Sequence, residues 1–282
     1  MATLLVGFDS AWTRTNFGAL VGVLRLDDGT FHDLGPPRMV DYPEAQDVIL
    51  KWQAERVPTS TIVLLDQPTI VRNDAGQRPV DNIVGSAVSR RYGGMQPANT
   101  SKENMFGTAA PMWPFLTRFG GPANPLEPVG DTHVIETYPV LTLIALCWTL
   151  PDRRPAGRRL PKYNPVPRKK FSIPDWKHVC GKASSAFCER GLMEVVRWID
   201  NAAGKTSPGK ADQDKLDGCL CLLVALYLAE RKECLMVGDL RTGYIVVPDS
   251  AELREELIAR CNQTGRVPSE WVRKFRLLTT AP

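Results

Sequence analysis

The sequence predicts an α/β fold, in which buried strands alternate with helices along the chain. Three runs of apolar residues have the pattern of strands covered on both faces, and each run ends in a carboxylate. These runs occupy residues 4–9, 61–66 and 132–136. Residues 43–56 and 212–231 instead carry apolar side chains at helical spacing, which predicts a helix after the first strands and a largely buried helix late in the chain.

The remaining elements are predicted from local spacing and turn residues. Residues 17–26 predict a second strand, and the Asp-Asp-Gly sequence at 27–29 predicts a hairpin turn into a third strand at 30–34. Residues 235–237 and 244–247 predict a small hairpin. Further helices are expected at 140–149, 176–182, 184–203 and 251–261.

Length and composition favour a single domain over residues 1–282. Of the 282 residues, 43% are hydrophobic and 23% are charged, which is ordinary globular composition with enough apolar side chains for one large core. We expect insertions in this domain near 67–130 and 150–205. The first is rich in Pro, Gly, Asn and Arg, with a helix expected near 83–91, and the second contains a basic, proline-rich loop at 151–170.

Charge, cysteine usage and hydropathy limit the classes of function. The formal charge of +4 is a mild excess that permits a nucleic-acid partner without establishing one. The seven cysteines form no Cys-X-X-Cys pair and the three histidines have no ligand spacing, so we expect neither a disulfide framework nor a zinc site. No apolar stretch reaches the length of a membrane span and no secretion signal is recognisable, so we expect a cytoplasmic protein without a membrane partner.

The acids that end the three apolar runs are Asp9, Asp66 and Glu136. A carboxylate at the edge of a buried sheet is costly unless it is paired, and a divalent cation is a suitable partner. Asp214 and Asp217 lie three positions apart at the start of the predicted helix 212–231, on one helix face, and Asp217 should point further inward. The pattern predicts a carboxylate site for Mg²⁺ or Mn²⁺ that suits two-metal phosphoryl chemistry.

Each acid also has an ordinary structural explanation. Asp9 or Asp66 alone is compatible with a strand-end turn or a helix cap. Asp214 is compatible with a helix N-cap or with a partner of the helix dipole. The metal site is therefore favoured by the joint pattern rather than by any single residue.

Five short segments, in this order, resemble the signatures of the DUF429 family of predicted RNase H-like nucleases. They are Gly-Phe-Asp-Ser-Ala-Trp at 7–12, Leu-Asp-Gln-Pro at 65–68, Glu-Thr-Tyr-Pro at 136–139, Asp-Lys-Leu-Asp-Gly at 214–218 and Gly-Tyr-Ile-Val-Val-Pro at 243–248. The resemblance implies a ribonuclease H-like fold, with a mixed five-stranded sheet flanked by helices. It also implies a catalytic, metal-ligating role for Asp9, Asp66, Glu136 and Asp217. Family members usually have alanine after the helical aspartate, where this chain has Gly218.

Basic residues in the two insertions are candidates for contacts with a phosphate. Arg78, close to Asp81, and the pair Arg90 and Arg91 follow Asp66 in the chain, where a guanidinium group would suit a phosphate near the metals. Lys162, beside an aromatic residue, has the composition of a single-strand contact. The alternative for each of them is an ordinary solvated loop charge.

The leading hypothesis is a hydrolase, a metal-dependent nuclease that cleaves the phosphodiester bonds of DNA or RNA with Mg²⁺ or Mn²⁺. A phosphotransferase of the actin-like or sugar-kinase class is an alternative, although the sequence shows neither a duplicated domain nor a clear glycine-rich phosphate loop. A catalytically silent nucleic-acid-binding protein that retains the fold for its shape is a third hypothesis.

Overall fold

The structure of the chain is a computed structural model, which describes residues 2–153, 157–166 and 170–277. Parts of the predicted basic loop 151–170 therefore lie outside the described residues. The chain forms an α/β structure around a mixed central sheet. Six strands make up this sheet: β1 (Ala2–Asp9), β2 (Gly18–Leu26), β3 (Phe31–Asp33), β4 (Arg38–Val40), β5 (Ser60–Leu65) and β6 (Thr132–Glu136).

The strand order of the central sheet is β3-β2-β1-β5-β6, and β4 also pairs with β2. β1, β2 and β3 form the predicted antiparallel meander, whereas β1, β5 and β6 are parallel to one another. The carboxyl ends of these three parallel strands consequently meet at one edge of the sheet.

Ten helices and five further strands complete the described residues. The helices are α1 (Tyr42–Arg56), α2 (Pro79–Arg90), α3 (Glu103–Phe106), α4 (Met112–Arg118), α5 (Pro139–Ala145), α6 (Ile173–Cys188), α7 (Met193–Ala203), α8 (Lys210–Ala229), α9 (Ala251–Gln263) and α10 (Pro268–Trp271). The strands are β7 (Leu150–Pro151), β8 (Arg158–Arg159), β9 (Cys234–Asp239), β10 (Gly243–Pro248) and β11 (Val272–Phe275). No helix of the described residues is long and apolar enough to cross a membrane.

The alternating side chains of the central strands divide the core between the two faces of the sheet. Leu5, Ile62 and Ile135 pack on the face covered by α2 and α8. Leu4, Val63 and Val134 pack on the other face, which α1 and α4 cover. A strand whose side chains all lie in one core or the other must be apolar at every position, which explains the uninterrupted apolar runs of the sequence.

Helix α8 lies very close to β1 because glycine occupies the contact on both elements. A Cβ atom at Gly7 would lie 2.2 Å from the carbonyl oxygen of Gly218, and a Cβ atom at Gly218 would lie 3.0 Å from the carbonyl oxygen of Ala19 in the adjacent strand β2. Neither glycine needs a positive φ, so the requirement is for space. This close crossing brings the polar start of α8 over the end of β1.

Several predicted boundaries were wrong. The helices expected at 176–182 and 184–203 divide at a different place: α6 continues through residue 183 to Cys188, and α7 begins at Met193 after a turn at Gly191, which has a φ of 71°. The helix expected at 140–149 ends at Ala145, shortly before Cys147, which has a φ of 58°. The short strands β4 and β11 and the short helices α3 and α4 were not expected, because three to seven residues carry too little periodicity to predict them.

Candidate metal centre

Three of the predicted acids lie at the carboxyl edge of the parallel strands, but their register separates them into two groups. Leu65 pairs with Phe8 on one side and with Glu136 on the other. Asp9 and Asp66 follow Phe8 and Leu65, and their side chains therefore alternate to the opposite face from Glu136. Gly7, two residues before Asp9, faces α8. Asp9 and Asp66 thus lie on the α8 face of the sheet, whereas Glu136 does not.

Helix α8 adds two more carboxylates to that face. Asp9, Asp66, Asp214 and Asp217 line one cleft of about 550 Å³. Gly209 occupies the N-cap position of α8, so Asp214 does not cap the helix. Because α8 begins at Lys210, two residues earlier than predicted, Asp214 and Asp217 lie beyond its first turn, and both are buried. The structure therefore brings four of the five predicted ligands into one cleft.

Burial and mutual repulsion make this cleft unfavourable for negative charge. Burial raises the pKa of Asp9 well above its ordinary value, and the neighbouring Asp66 and Asp217 raise it further. The pKa of Asp66 is raised in the same way, by burial and then by Asp217. Among the described residues, no hydrogen-bond donor reaches the carboxylate of either Asp9 or Asp66. Asp9 is buried and Asp66 is half-buried, so these two carboxylates lack the partners that acids removed from water normally have.

Asp217 is held in place by two hydrogen bonds. The hydroxyl of the buried Tyr163 donates to one carboxylate oxygen at 2.7 Å, and the side-chain amide of Gln213 donates to the other. Burial nevertheless raises the pKa of Asp217 to about 7, against the lowering effect of these donors and of Lys210. The two hydrogen bonds thus fix the orientation of the Asp217 carboxylate, but the positive charge near it does not fully compensate its negative charge.

Lys210 provides the positive charge that the cleft does contain. Among the described residues that line the cleft, it is the one cationic side chain. Its ammonium group forms an ion pair with Asp214 and donates to Oε1 of Gln213 at 2.6 Å. One half-exposed lysine faces four carboxylates, so the cleft keeps an excess of potential negative charge.

Sequence reasoning missed Lys210 and Gln213, and it considered Tyr163 only as the aromatic neighbour of Lys162, not as a partner of Asp217. Two of these residues left a signal, because Lys210 and Asp214, like Gln213 and Asp217, are spaced i,i+4 on one helix face. Tyr163 left none, since it reaches Asp217 from a loop 54 residues away in the chain. The aromatic residue beside Lys162 thus faces the site, while the Lys162 side chain is exposed and its backbone N–H donates to Asp175 at 2.7 Å.

Glu136 is bound to Arg78 instead of lining the cleft. The two carboxylate oxygens accept from the guanidinium group at 2.6 and 2.9 Å, and one of them also accepts from the backbone N–H of Thr69 at 2.8 Å. Arg78 makes a second ion pair with Asp81, at 2.8 Å, and is fully buried. Arg78 was expected to contact a phosphate, but its donors are directed into this interior network.

The other two basic candidates join helices α2 and α9. Arg91 is buried and forms ion pairs with Glu256 at 2.7 Å and with Glu252 at 3.0 Å. Arg90 is exposed and lies 3.3 Å from Glu256. Neither arginine lines the carboxylate cleft, and neither do Arg78 and Lys162.

The donor set of the cleft suits a hard divalent cation. Carboxylate oxygens are the ligands that Mg²⁺ and Mn²⁺ prefer, and no thiol or imidazole lines the cleft among the described residues. The described residues contain no preassembled group of three or more His, Cys, Asp or Glu side chains in metal-binding geometry.

Comparison of the chain with family models, with curated proteins and with solved structures found no match.

Proposed function

We propose that the chain is a metal-dependent nuclease of the RNase H-like class, with Asp9, Asp66 and Asp217 as the principal ligands of Mg²⁺ or Mn²⁺. One observation carries this proposal: Asp9 and Asp66 have raised pKa values, and no described donor forms a hydrogen bond with either carboxylate. Both acids line one cleft together with Asp214 and Asp217. Divalent cations would supply the positive charge that this arrangement lacks.

The fold supports the proposal. A mixed sheet with an antiparallel meander followed by parallel strands agrees with the five-stranded sheet expected of the RNase H-like class, with the three-residue β4 as an addition. The helix that carries Asp217 crosses the strand that carries Asp9 at glycine-to-glycine contact. Short segments around Asp9, Asp66 and Asp217 are also those in which the sequence resembles the DUF429 family.

Each residue of the cleft has a defined part in the proposed reaction. When bound, the metal ions would activate water and stabilise the charge that develops on the phosphoryl oxygens. Tyr163 and Gln213 hold the carboxylate of Asp217 in one orientation, as partners of metal ligands commonly do. Lys210, half exposed at the rim, offers an ammonium group to a phosphate oxygen once Asp214 is engaged elsewhere.

Glu136 has a different part in this proposal from the one implied by the family resemblance. Both of its oxygens are bound to Arg78, so we assign it to the buried ion-pair network behind the site. Its charge still contributes, because Glu136 raises the pKa of Asp66. It therefore increases the need for a cation at Asp66 without being one of the principal ligands.

Hydrolysis of labelled nucleic acids tests the proposal directly. Single strands, duplexes, RNA–DNA hybrids and branched junctions are incubated with Mn²⁺, Mg²⁺ or EDTA. We expect cleavage of at least one substrate with the metals, none with EDTA, and loss of cleavage in Asp9→Asn and Asp66→Asn. The matched control is Asp47→Asn, which changes an exposed acid on α1 outside the cleft and should leave cleavage intact.

Two results would contradict the nuclease proposal. The first is the absence of metal-dependent cleavage on every substrate, and salt-dependent binding in that case would favour the catalytically silent nucleic-acid-binding protein. The second is undiminished cleavage by Asp9→Asn, which would place the chemistry outside this cleft.

A further inference from the structure

The loop between β1 and β2 brings two aromatic side chains to the cleft of the four carboxylates. Trp12 and Phe17 both line it, together with Asp9 and Asp66. Phe17 is 58% exposed, while Trp12 is half-buried. We call the carboxylates of Asp9, Asp66, Asp214 and Asp217 the acidic floor of the cleft, and the rings of Trp12 and Phe17 its aromatic wall.

Trp12 is fixed relative to the acidic floor. Its indole N–H donates to the backbone carbonyl of Asp66 at 3.0 Å. Its ring packs against that of Phe106 in a T-shaped arrangement, with the ring centroids 5.8 Å apart and the planes at 69°. The backbone of Trp12 has a φ of 60°, a left-handed conformation that a bulky residue rarely adopts and that is concentrated at functional sites. The loop thus holds a strained conformation that places the indole beside Asp66.

Phe17 has no comparable structural reason to be at the surface. It directly precedes β2, whose first residues are buried, and its exposed ring lies at the cleft rather than in either hydrophobic core. An exposed ring of this kind offers a stacking surface for a flat partner. It is uncharged, so it attracts a neutral ring without adding to the repulsion among the carboxylates.

A nucleobase fits this combination better than a charged ligand does. The base is flat and neutral, so it can stack on an aromatic ring beside acids, while the attached phosphate requires the cations that the acids would bind. Bases inside a duplex are already stacked on one another and cannot reach a protein ring without being unpaired. The aromatic wall therefore selects nucleic acid that is already single-stranded or locally unpaired.

We propose that Trp12 and Phe17 form a stacking surface for an unpaired nucleobase next to the carboxylate cleft, so that the substrate is single-stranded or locally unpaired nucleic acid. This inference rests on the proposed nuclease function, because it names the substrate class of the same site. In this arrangement Phe17 stacks on the base, and Trp12 forms the neighbouring part of the stacking surface, held in place by its hydrogen bond to the backbone of Asp66.

Binding without cleavage tests the stacking surface separately from the chemistry. A fluorescein-labelled single strand, its duplex and the same strand with abasic positions are titrated with the full chain in Ca²⁺, which occupies carboxylate sites. Phe17→Ala should weaken binding of the single strand by about 5- to 150-fold, the range expected for loss of one base-stacking contact. Phe17→Tyr should retain affinity, and both variants should bind the abasic strand as the native chain does.

The controls separate a stacking contact from a general loss of structure. Val129→Ala removes an exposed apolar side chain that does not line the cleft and should leave all three affinities unchanged. Equal unfolding midpoints in urea would show that Phe17→Ala is folded. The inference is overturned if Phe17→Ala binds the single strand as tightly as the native chain, or weakens binding of the abasic strand equally.

The proposed function and this inference fail in different ways. If no substrate is cleaved with Mn²⁺ but Phe17→Ala still weakens binding of the base-containing strand and leaves binding of the abasic strand unchanged, the nuclease proposal fails and the stacking surface stands. The opposite outcome has two parts: the native chain cleaves single strands and duplexes at the same rate, and Phe17→Ala cleaves both as fast as the native chain does. In that case the nuclease proposal stands and the stacking surface is contradicted.

Discussion

The hydroxyl of Tyr163 donates a 2.7 Å hydrogen bond to the carboxylate of Asp217, and both side chains are buried. This contact links a loop that precedes α6 to the residue on α8 that faces Asp9 and Asp66. It fixes a predicted metal ligand through a residue that lies far from it in the chain.

Tyr163→Phe should weaken Mn²⁺ binding by about 10- to 100-fold, the usual effect of removing a hydrogen bond to a metal ligand. Loss of the donor frees the Asp217 carboxylate and also raises its pKa further, because the hydrogen bond lowers that pKa. Isothermal titration with Mn²⁺ measures the change. Tyr244→Phe is the matched control, since the Tyr244 hydroxyl donates at 2.7 Å to the carbonyl of Ala123, outside the cleft. Equal Mn²⁺ affinities for native chain and Tyr163→Phe would refute the positioning role.

Gly7→Ala should destabilise the fold and separate α8 from β1. The added methyl group would lie 2.2 Å from a backbone carbonyl oxygen of α8, and overpacking of this kind typically costs about 1–3 kcal/mol or more. Urea unfolding measures the loss. Gly181→Ala in α6 is the control, because nothing lies within 4 Å of its added methyl group, and it should be neutral or stabilising by up to about 1 kcal/mol. A Gly7→Ala chain as stable as the native one would contradict the close contact between α8 and β1.

Without metal, the cleft should make the protein less stable as pH rises. Asp217 has an ordinary pKa of 3.8 in an unfolded chain but one of about 7 when folded, so between these values the folded state keeps a proton that the unfolded state has released. Since the folded state binds more protons, the contribution of Asp217 to the free energy of unfolding falls from about pH 4 to about pH 7 and then levels off. The raised pKa values of Asp9 and Asp66 act in the same direction.

Urea unfolding in EDTA across this pH range checks the sign. Asp217→Asn should show a shallower fall than the native chain, because asparagine does not titrate. Comparison of the two chains cancels the contribution of groups outside the cleft, such as Asp175, whose pKa is lowered by Arg159. Identical slopes in the two chains would contradict the raised pKa of Asp217.

Glu136→Gln and Asp66→Asn should have opposite effects on the metal-free protein. Glu136→Gln breaks a buried ion pair with Arg78 and should lower the free energy of unfolding by about 3–5 kcal/mol. Mn²⁺ binding to the cleft should raise the Tm of the native chain, and Glu136→Gln should keep this rise. Asp66→Asn removes repulsion and should stabilise the metal-free chain while abolishing that rise. Thermal unfolding with EDTA and with Mn²⁺ distinguishes them. If Glu136→Gln also abolished the Mn²⁺ response, Glu136 would be a ligand, as the family resemblance implies.

The sequence predicts most strands of the central sheet and the acids that line the cleft, because both depend on local patterns. Asp9 and Asp66 stand out as acids that end apolar runs, and those runs are apolar because each strand contributes to two cores. Asp217 stands out by its spacing from Asp214 on a strongly apolar helix.

The features that the sequence did not predict depend on strand register and on contacts between distant segments of the chain. Glu136 has the same local pattern as Asp66, but its pairing with Leu65 turns it to the other face of the sheet, and nothing in the sequence gives that register. Arg78 carries the same charge as a surface arginine and is distinguished only by two carboxylates that the fold brings to it. The helix that was predicted as continuous is broken at Gly191, a single residue whose φ of 71° only the structure reveals.

A crystal of the native chain soaked in millimolar Mn²⁺ tests the metal centre most directly, because anomalous scattering locates Mn²⁺ independently of activity. We predict Mn²⁺ in the cleft, coordinated by Asp9, Asp66 and Asp217, with two ions about 3.5–4 Å apart when a phosphate or nucleotide is present. The same soak of Asp66→Asn should leave the cleft without a strong anomalous peak. A native cleft that stays without Mn²⁺, with its carboxylates apart, would contradict the proposed metal centre.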